Sequence, residues 1–357
     1  KMTNKRFIKF VLIGLFLGMA FVSGMNYWID RYAIFNHNKI YFSEEPNQNF
    51  IKMEILLNSE IKNDSFLFGF SRVGKINPKL FQNGKYYNMT YSEGLPHEHL
   101  KNIKTLLKHN ISIKNIIIAL DDFSYQVEPT THHSQPMRKL HYKSENTFIF
   151  NFYKHYLTLL PDPISILNKI KCMRQKDNCQ NYDFFSTGMP IVPSSIENKI
   201  EKNVSEHIAN QKFLTPTHYK GNRIEKTIGE IKNIKTICRN NNINLIILIN
   251  PIHKVTYLDT NFNNFQLFKK QLSEIQNFYD FSGLNSITTN NYYWYETSHY
   301  RVKVGDKIYA RIFNDKAIDV PKDFGVLVTK QNIDQHLANL RNQIKAYDLN
   351  QTQKLPN

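Results

Sequence analysis

The stretch Phe66-Leu67-Phe68-Gly69-Phe70-Ser71-Arg72 decides how this chain is read. Its apolar residues run on without alternation and stop at a serine, the pattern of a strand buried on both faces. Similar runs follow at 86–89, at 115–120 (Asn-Ile-Ile-Ile-Ala-Leu), at 244–249 (Asn-Leu-Ile-Ile-Leu-Ile) and, shorter, at 278–281. Segments of helical period separate them. Leu100, Ile103, Leu106 and Leu107 share one face of 97–108, and Ile224, Ile228, Ile231, Ile234 and Ile237 one face of 224–240. Further helices are expected at 48–57, 262–277, 304–313 and 331–347, with fraying at 351–357. Buried strands joined by helices predict an α/β fold around a parallel sheet covered on both faces. In such sheets the sites lie at the carboxyl ends of strands. Ser71, Asp121 and the loop before His299 all fall at such ends.

The bulk numbers agree with a folded domain. In 357 residues, 41% are hydrophobic and 21% charged, enough for a full core. The formal charge of +16 favours anionic neighbours such as phospholipid head groups or acidic glycopolymers. The basic residues are scattered and accompany no zinc-finger spacing or aromatic RNA-binding motif, so nucleic acid is not an expected partner.

Lys1, Lys5, Arg6 and Lys9 precede an uncharged run from Phe10 to Ile29, 20 residues long. That length crosses a bilayer as a helix. Tyr27 and Trp28 stand where interfacial aromatics belong, and the cationic flank predicts a cytoplasmic N-terminal side. No small-x-small cleavage site follows, so an uncleaved anchor is expected over 1–30 rather than a signal peptide. The expected order is anchor, connector over 31–62, and a catalytic-type domain over 63–350. The body would then be extracytoplasmic, in the periplasm, held to the inner (cytoplasmic) membrane by a single pass.

Residues 125–222 interrupt the strand–helix rhythm and read as one long insertion, a candidate lid or substrate wall. Cys172 and Cys179 lie seven apart there and are placed to close a small loop in an oxidising compartment. Cys238 reads as a buried thiol. His132 and His133 are adjacent, but no third ligand is evident, and neither a metal nor another cofactor is expected.

Chemistry concentrates in Asn290-Asn-Tyr-Tyr-Trp-Tyr-Glu-Thr-Ser-His-Tyr-Arg301. Glu296 precedes His299 by three residues, which puts both on one side of a turn. A serine needs such a base to act as a nucleophile, and the carboxylate orients the imidazole. Bland readings stand beside these: Ser71 as a helix N-cap, His299 as a hydrogen-bonded core histidine, Glu296 as a surface acid. Arg72 is placed either to bind an anionic substrate group or to pair with Asp121 or Asp122. His253, just past a strand end, is a pocket or capping residue. Tyr292, Tyr293, Trp294 and Tyr295 are candidates for a sugar-stacking wall or for core packing.

Gly-x-Ser-Arg at the first strand end, a later strand ending in acidic residues, and acid-x-x-His before a C-terminal helix together resemble the SGNH (GDSL-like) hydrolase superfamily. The likeness covers roughly residues 64–315 and is nearest to membrane-anchored bacterial forms associated with cell-envelope acylation. It implies a three-layer α/β/α fold with a flavodoxin-like parallel sheet, Ser71 as nucleophile, and Glu296 and His299 as acid and base. It implies Gly94 as an oxyanion donor through its N–H. The asparagine usual in the third block is absent: the chain reads Ala119-Leu-Asp-Asp122, with Asp121 at that place. Asn88 and Arg72 are the candidates to replace it. The implied function is an esterase or O-acyltransferase acting on an acyl ester or envelope glycan. The alternative is an inactive module that binds polysaccharide or a membrane-bound acyltransferase.

Overall fold

The computed structural model describes residues 4–58, 62–217 and 219–352. Lys1 of the cationic flank, residues 59–61 of the connector and 353–357 lie outside the described residues; of the expected frayed end 351–357, residues 351–352 continue the last helix. In chain order the principal elements are α1 (Asn4–Ile29), α2 (Gln48–Asn58), β1 (Ser65–Gly69), β2 (Tyr86–Asn88), α3 (Pro96–Lys108), β3 (Asn115–Leu120), α4 (Ile149–Leu157), α5 (Pro163–Arg174), α6 (Ser194–Lys202), α7 (Ile224–Asn240), β4 (Asn244–Ile249), α8 (Phe262–Ile275), β5 (Phe278–Asp280), α9 (Val302–Phe313), β6 (Val326–Val328) and α10 (Ile333–Thr352). The strands form one sheet in the order β2-β1-β3-β4-β5-β6. The first five run parallel, and β6 closes the edge antiparallel to β5. That last strand was not expected from the sequence: three residues carry no readable period, and it is placed by backbone pairing to β5.

The pleat sorts the apolar runs into two cores. Phe66, Phe68, Ile116, Ile118, Ile247 and Ile249 face α3, α7, α8 and α10, while Leu67, Ile117, Ala119 and Leu248 face α9 and the Ser71–Lys75 turn. Successive side chains of a strand point to opposite faces, so a strand covered on both sides needs apolar residues throughout. The expected parallel sheet and its helices are therefore observed, within a mixed α/β architecture.

A third core joins segments far apart in sequence. Ile34, Phe42, Phe50 and Ile51 of the connector and α2 pack with Phe152, Tyr156, Tyr182 and Phe184 of the insertion. Tyr41–Phe42 pairs antiparallel with Gln180–Asp183, which pairs in turn with Met189–Pro190. Cys172 and Cys179 are disulfide-bonded, and Cys238 is buried and free. The insertion is thus not one lid. Residues 129–145 pack at the start of α3, α4 and α5 reach α1, and α6 lies beside the 292–303 segment. Helix α1 is long and apolar enough to cross a membrane, and none of its most apolar window is buried against the rest of the chain.

Behind the sheet edge Asp280 is fully buried. Burial alone would raise its carboxyl, but Lys269 Nζ at 2.9 Å and His336 Nε2 at 2.8 Å hold it well below the ordinary carboxylate range. A carboxylate with a depressed folded-state pKa stabilises the fold above its unfolded value of 3.8, and that stability is lost as pH falls toward the folded value. Asp280→Asn is expected to cost about 3–5 kcal/mol at pH 7, since Lys269 is left as an uncompensated buried charge. The gap in melting temperature between wild type and variant should narrow as pH falls below 3.8. A gap that stays constant from pH 7 to 3 contradicts this account.

Candidate active site

Gly69 ends β1 where the backbones are too close for a side chain. A Cβ there would meet Val73 Cγ2 at 2.6 Å and the Ala119 carbonyl oxygen at 2.8 Å. The chain turns at once into the short 3-10 helix Ser71–Lys75, whose first backbone bond runs from Val73 N–H to the Phe70 carbonyl. The N–H groups of Ser71 and Arg72 take no part in that bond, as expected at a helix start. Beyond β5, Trp294 and Tyr300 pair with each other and are fully buried, which fixes the turn between them.

That turn brings His299 to Ser71. Ser71 Oγ lies 2.7 Å from His299 Nε2, and His299 Nδ1 lies 2.5 Å from Glu296 Oε1. The Glu296 carboxylate also accepts the backbone N–H of Ser298 at 2.5 Å and of His299 at 2.9 Å. Burial alone would raise Glu296, but the His299 ring and these two N–H groups outweigh it and hold the carboxyl below its ordinary value. An ionised Glu296 keeps a proton on Nδ1 and leaves the Nε2 lone pair for the serine hydroxyl. Hydroxyl, imidazole and carboxylate therefore form a continuous relay, the arrangement needed to deprotonate a serine.

Arg72 does not reach toward an open site. Its guanidinium is buried, donating from Nη1 to Asp121 Oδ2 at 3.0 Å and from Nε to the Ser298 carbonyl at 2.7 Å. The ion pair ties the end of β3 to the serine turn, and the second bond ties both to the histidine loop. Burial pushes the Asp121 carboxyl above its ordinary value, against the opposing charge of Arg72. Asp122 accepts from Thr260 Oγ1 and makes no part of this pair.

The two expected substitutes for the missing asparagine are both otherwise engaged. Asn88 Nδ2 donates to the carbonyls of Val73 at 2.8 Å and Ile76 at 3.3 Å, and its Oδ1 accepts from Thr90 N–H. Asn88 thus fastens the turn that carries Ser71. Gly94 packs against the end of β1, where a Cβ would lie 2.7 Å from the Gly69 carbonyl oxygen, and its N–H donates to the Tyr91 carbonyl at 3.3 Å. His253 is buried, caps Val255 N–H through Nδ1, meets Asn291 Oδ1 at 2.9 Å through Nε2 and stacks on Phe213. Burial lowers its pKa to about 4, so it is a neutral structural imidazole at neutral pH.

The aromatic run divides its duties. Trp294 is core, donating from Nε1 to the Ile287 carbonyl. Tyr292 lies under Arg301 and Lys303, and Tyr295 donates to Glu197 of α6. Tyr295 and Lys75 also edge a cavity of about 450 Å³, whose lining includes none of Ser71, Glu296 and His299. Its other walls come from the insertion, with Ile196, Ile200, Lys199 and Lys212 among them.

Several neighbours carried no sequence signal. Glu45 of the connector is partly buried, its carboxyl raised by that burial, and it lies within electrostatic reach of Arg138 and His299. Glu93 binds Arg138 Nη2 at 2.6 Å and accepts the Tyr219 hydroxyl at 2.9 Å. Glu98 supplies the third member of the His132–His133 cluster: its Oε1 lies 2.5 Å from His132 Nδ1 and 2.7 Å from His133 Nε2. Both nitrogens stand at hydrogen-bond distance from one oxygen, while His132 Nε2 is buried with no hydrogen-bond partner. The adjacent His132 and His133 and the glycine of Gly94 were the sequence hints of this neighbourhood. No protein-family model matches the chain, and no curated protein matches it.

Proposed function

We propose that this chain is a membrane-anchored SGNH-like serine esterase or O-acyltransferase of three-layer α/β/α type. Its site would act outside the cytoplasmic membrane on an acyl ester of an envelope glycan. The observation that carries the reading is the pair of contacts from Ser71 Oγ to His299 Nε2 and from His299 Nδ1 to Glu296. In the proposed reaction Ser71 Oγ attacks the ester carbonyl carbon as Nε2 takes its proton. The tetrahedral intermediate collapses, the C–O bond to the alcohol breaks, and Nε2 returns the proton to the departing oxygen. A glycan hydroxyl or a water molecule then attacks the acyl-serine by the same route. The backbone N–H groups of Ser71 and Arg72 are the candidate donors to the oxyanion. The neighbouring cavity, with apolar walls and lysines at its edge, suits an acyl group attached to an anionic or polar carrier.

A second reading has its own support. Asn88 and Gly94 spend their donors within the fold, so the oxyanion would rely on the serine turn alone. Losing one oxyanion donor costs about a hundredfold or more in rate, which suits a module that binds polysaccharide or a membrane acyltransferase partner without turnover. Complementation of a deletion strain separates the two. The enzyme reading expects Ser71→Ala, expressed at the wild-type level, to fail to restore envelope acylation. Full restoration by that variant overturns it in favour of the binding module.

A further inference from the structure

We propose that the α4–α5 hairpin of the insertion is a second membrane contact, lying in the bilayer interface beside α1; this rests on reading α1 as a membrane span. The hairpin is fastened to the last turn of α1. Asn26 Nδ2 donates to the Leu157 carbonyl at 3.0 Å and the Leu159 carbonyl at 2.5 Å, both at the turn between α4 and α5. Tyr27 packs on Phe35, which packs on Tyr153 of α4. The height of the turn is therefore fixed relative to α1, at the end of its apolar run where a bilayer gives way to head groups.

At that height the hairpin presents large apolar side chains. Leu160, at the turn, is 91% exposed, and Ile164 and Leu167, one helical turn apart on α5, are 65% and 57% exposed. A single exposed leucine is ordinary, but this set is contiguous with a helix whose own apolar residues are uncovered. Farther along α5, Lys171 and Arg174 are exposed and suit anionic head groups. The exposed apolar residues at the turn and start of α5, with basic residues farther along, suit a loop tip that dips into the head-group boundary. The third core welds α4 to α2 and the connector, so seating the hairpin would orient the whole domain. A single flexible tether would leave that orientation free, whereas two contacts fix it.

The test uses the full chain in nanodiscs containing lipids brominated near the top of the acyl chain. Native Trp28 reports the anchor, and loss of its emission is expected. In a Trp28→Phe background, buried Trp294 supplies the baseline, and Leu160→Trp reports the hairpin. We expect Leu160→Trp to lose most of its added emission to brominated lipid. Leu267→Trp, at a half-exposed position on α8, is expected to keep its emission. Quenching of Trp28 without quenching of Leu160→Trp overturns the hairpin contact and leaves the anchor standing. Failure of Trp28 to quench instead sinks the anchor reading. Shielding of Leu160→Trp that follows protein concentration and ignores bromine overturns the proposal in favour of a second copy of the chain.

Discussion

Glu296→Gln is expected to lower acyl-ester turnover about ten-thousand-fold while leaving the fold in place, the order of loss when a triad acid becomes its amide. Glutamine matches the shape of Glu296 but carries no charge. It cannot stabilise the imidazolium that forms as Ser71 loses its proton, and its amide favours the tautomer with the proton on the wrong nitrogen. The carboxylate also accepts the N–H groups of Ser298 and His299, so part of the loop geometry can survive through the amide oxygen. Ser71→Ala should lose at least as much, because no acyl-enzyme forms. Steady-state turnover of a chromogenic acyl ester, with circular dichroism of each variant, measures both effects. Wild-type turnover by Glu296→Gln would show that the carboxylate does not serve His299.

Arg72→Met is expected to cost about 3–5 kcal/mol of stability, because Asp121 would be left without its buried counter-charge. Turnover should fall as well, since the bond from Nε to the Ser298 carbonyl positions the loop that carries His299. The double variant Arg72→Met/Asp121→Asn separates the two roles. Removing the acid together with its partner should recover much of the stability, whereas the loop tether remains lost and turnover stays low. Denaturant unfolding and the activity assay on the same preparations check this. If the double variant regains both stability and activity, Arg72 serves only to neutralise Asp121.

What was legible follows from range. β1, β3 and β4 were readable because parallel strands with two covered faces must be apolar throughout, and that leaves an unbroken mark in the sequence. Ser71 was readable because it ends a buried strand, and Glu296–His299 because the acid and the imidazole are three residues apart and meet within one turn. The Arg72–Asp121 pair was offered only as one of several uses for Arg72, since its members are 49 residues apart and nothing local joins them. Asn88 read as an oxyanion donor, yet its amide is consumed by the carbonyls of Val73 and Ile76, which only the folded turn brings near. The insertion resisted for a related reason. Its residues find their core against Phe42, Phe50 and Ile51 of the connector, more than a hundred positions away from Phe152 and Tyr182, so no single segment shows a complete amphipathic pattern.

The central claim is that Ser71 is a nucleophile activated by His299. Treating the protein with a serine-directed phosphonate and locating the adduct by peptide mass spectrometry tests it most directly. The account predicts one adduct, on Ser71, that is absent from Ser71→Ala and strongly reduced in His299→Ala. Labelling that persists in both variants, or an adduct mapped to another serine, contradicts it.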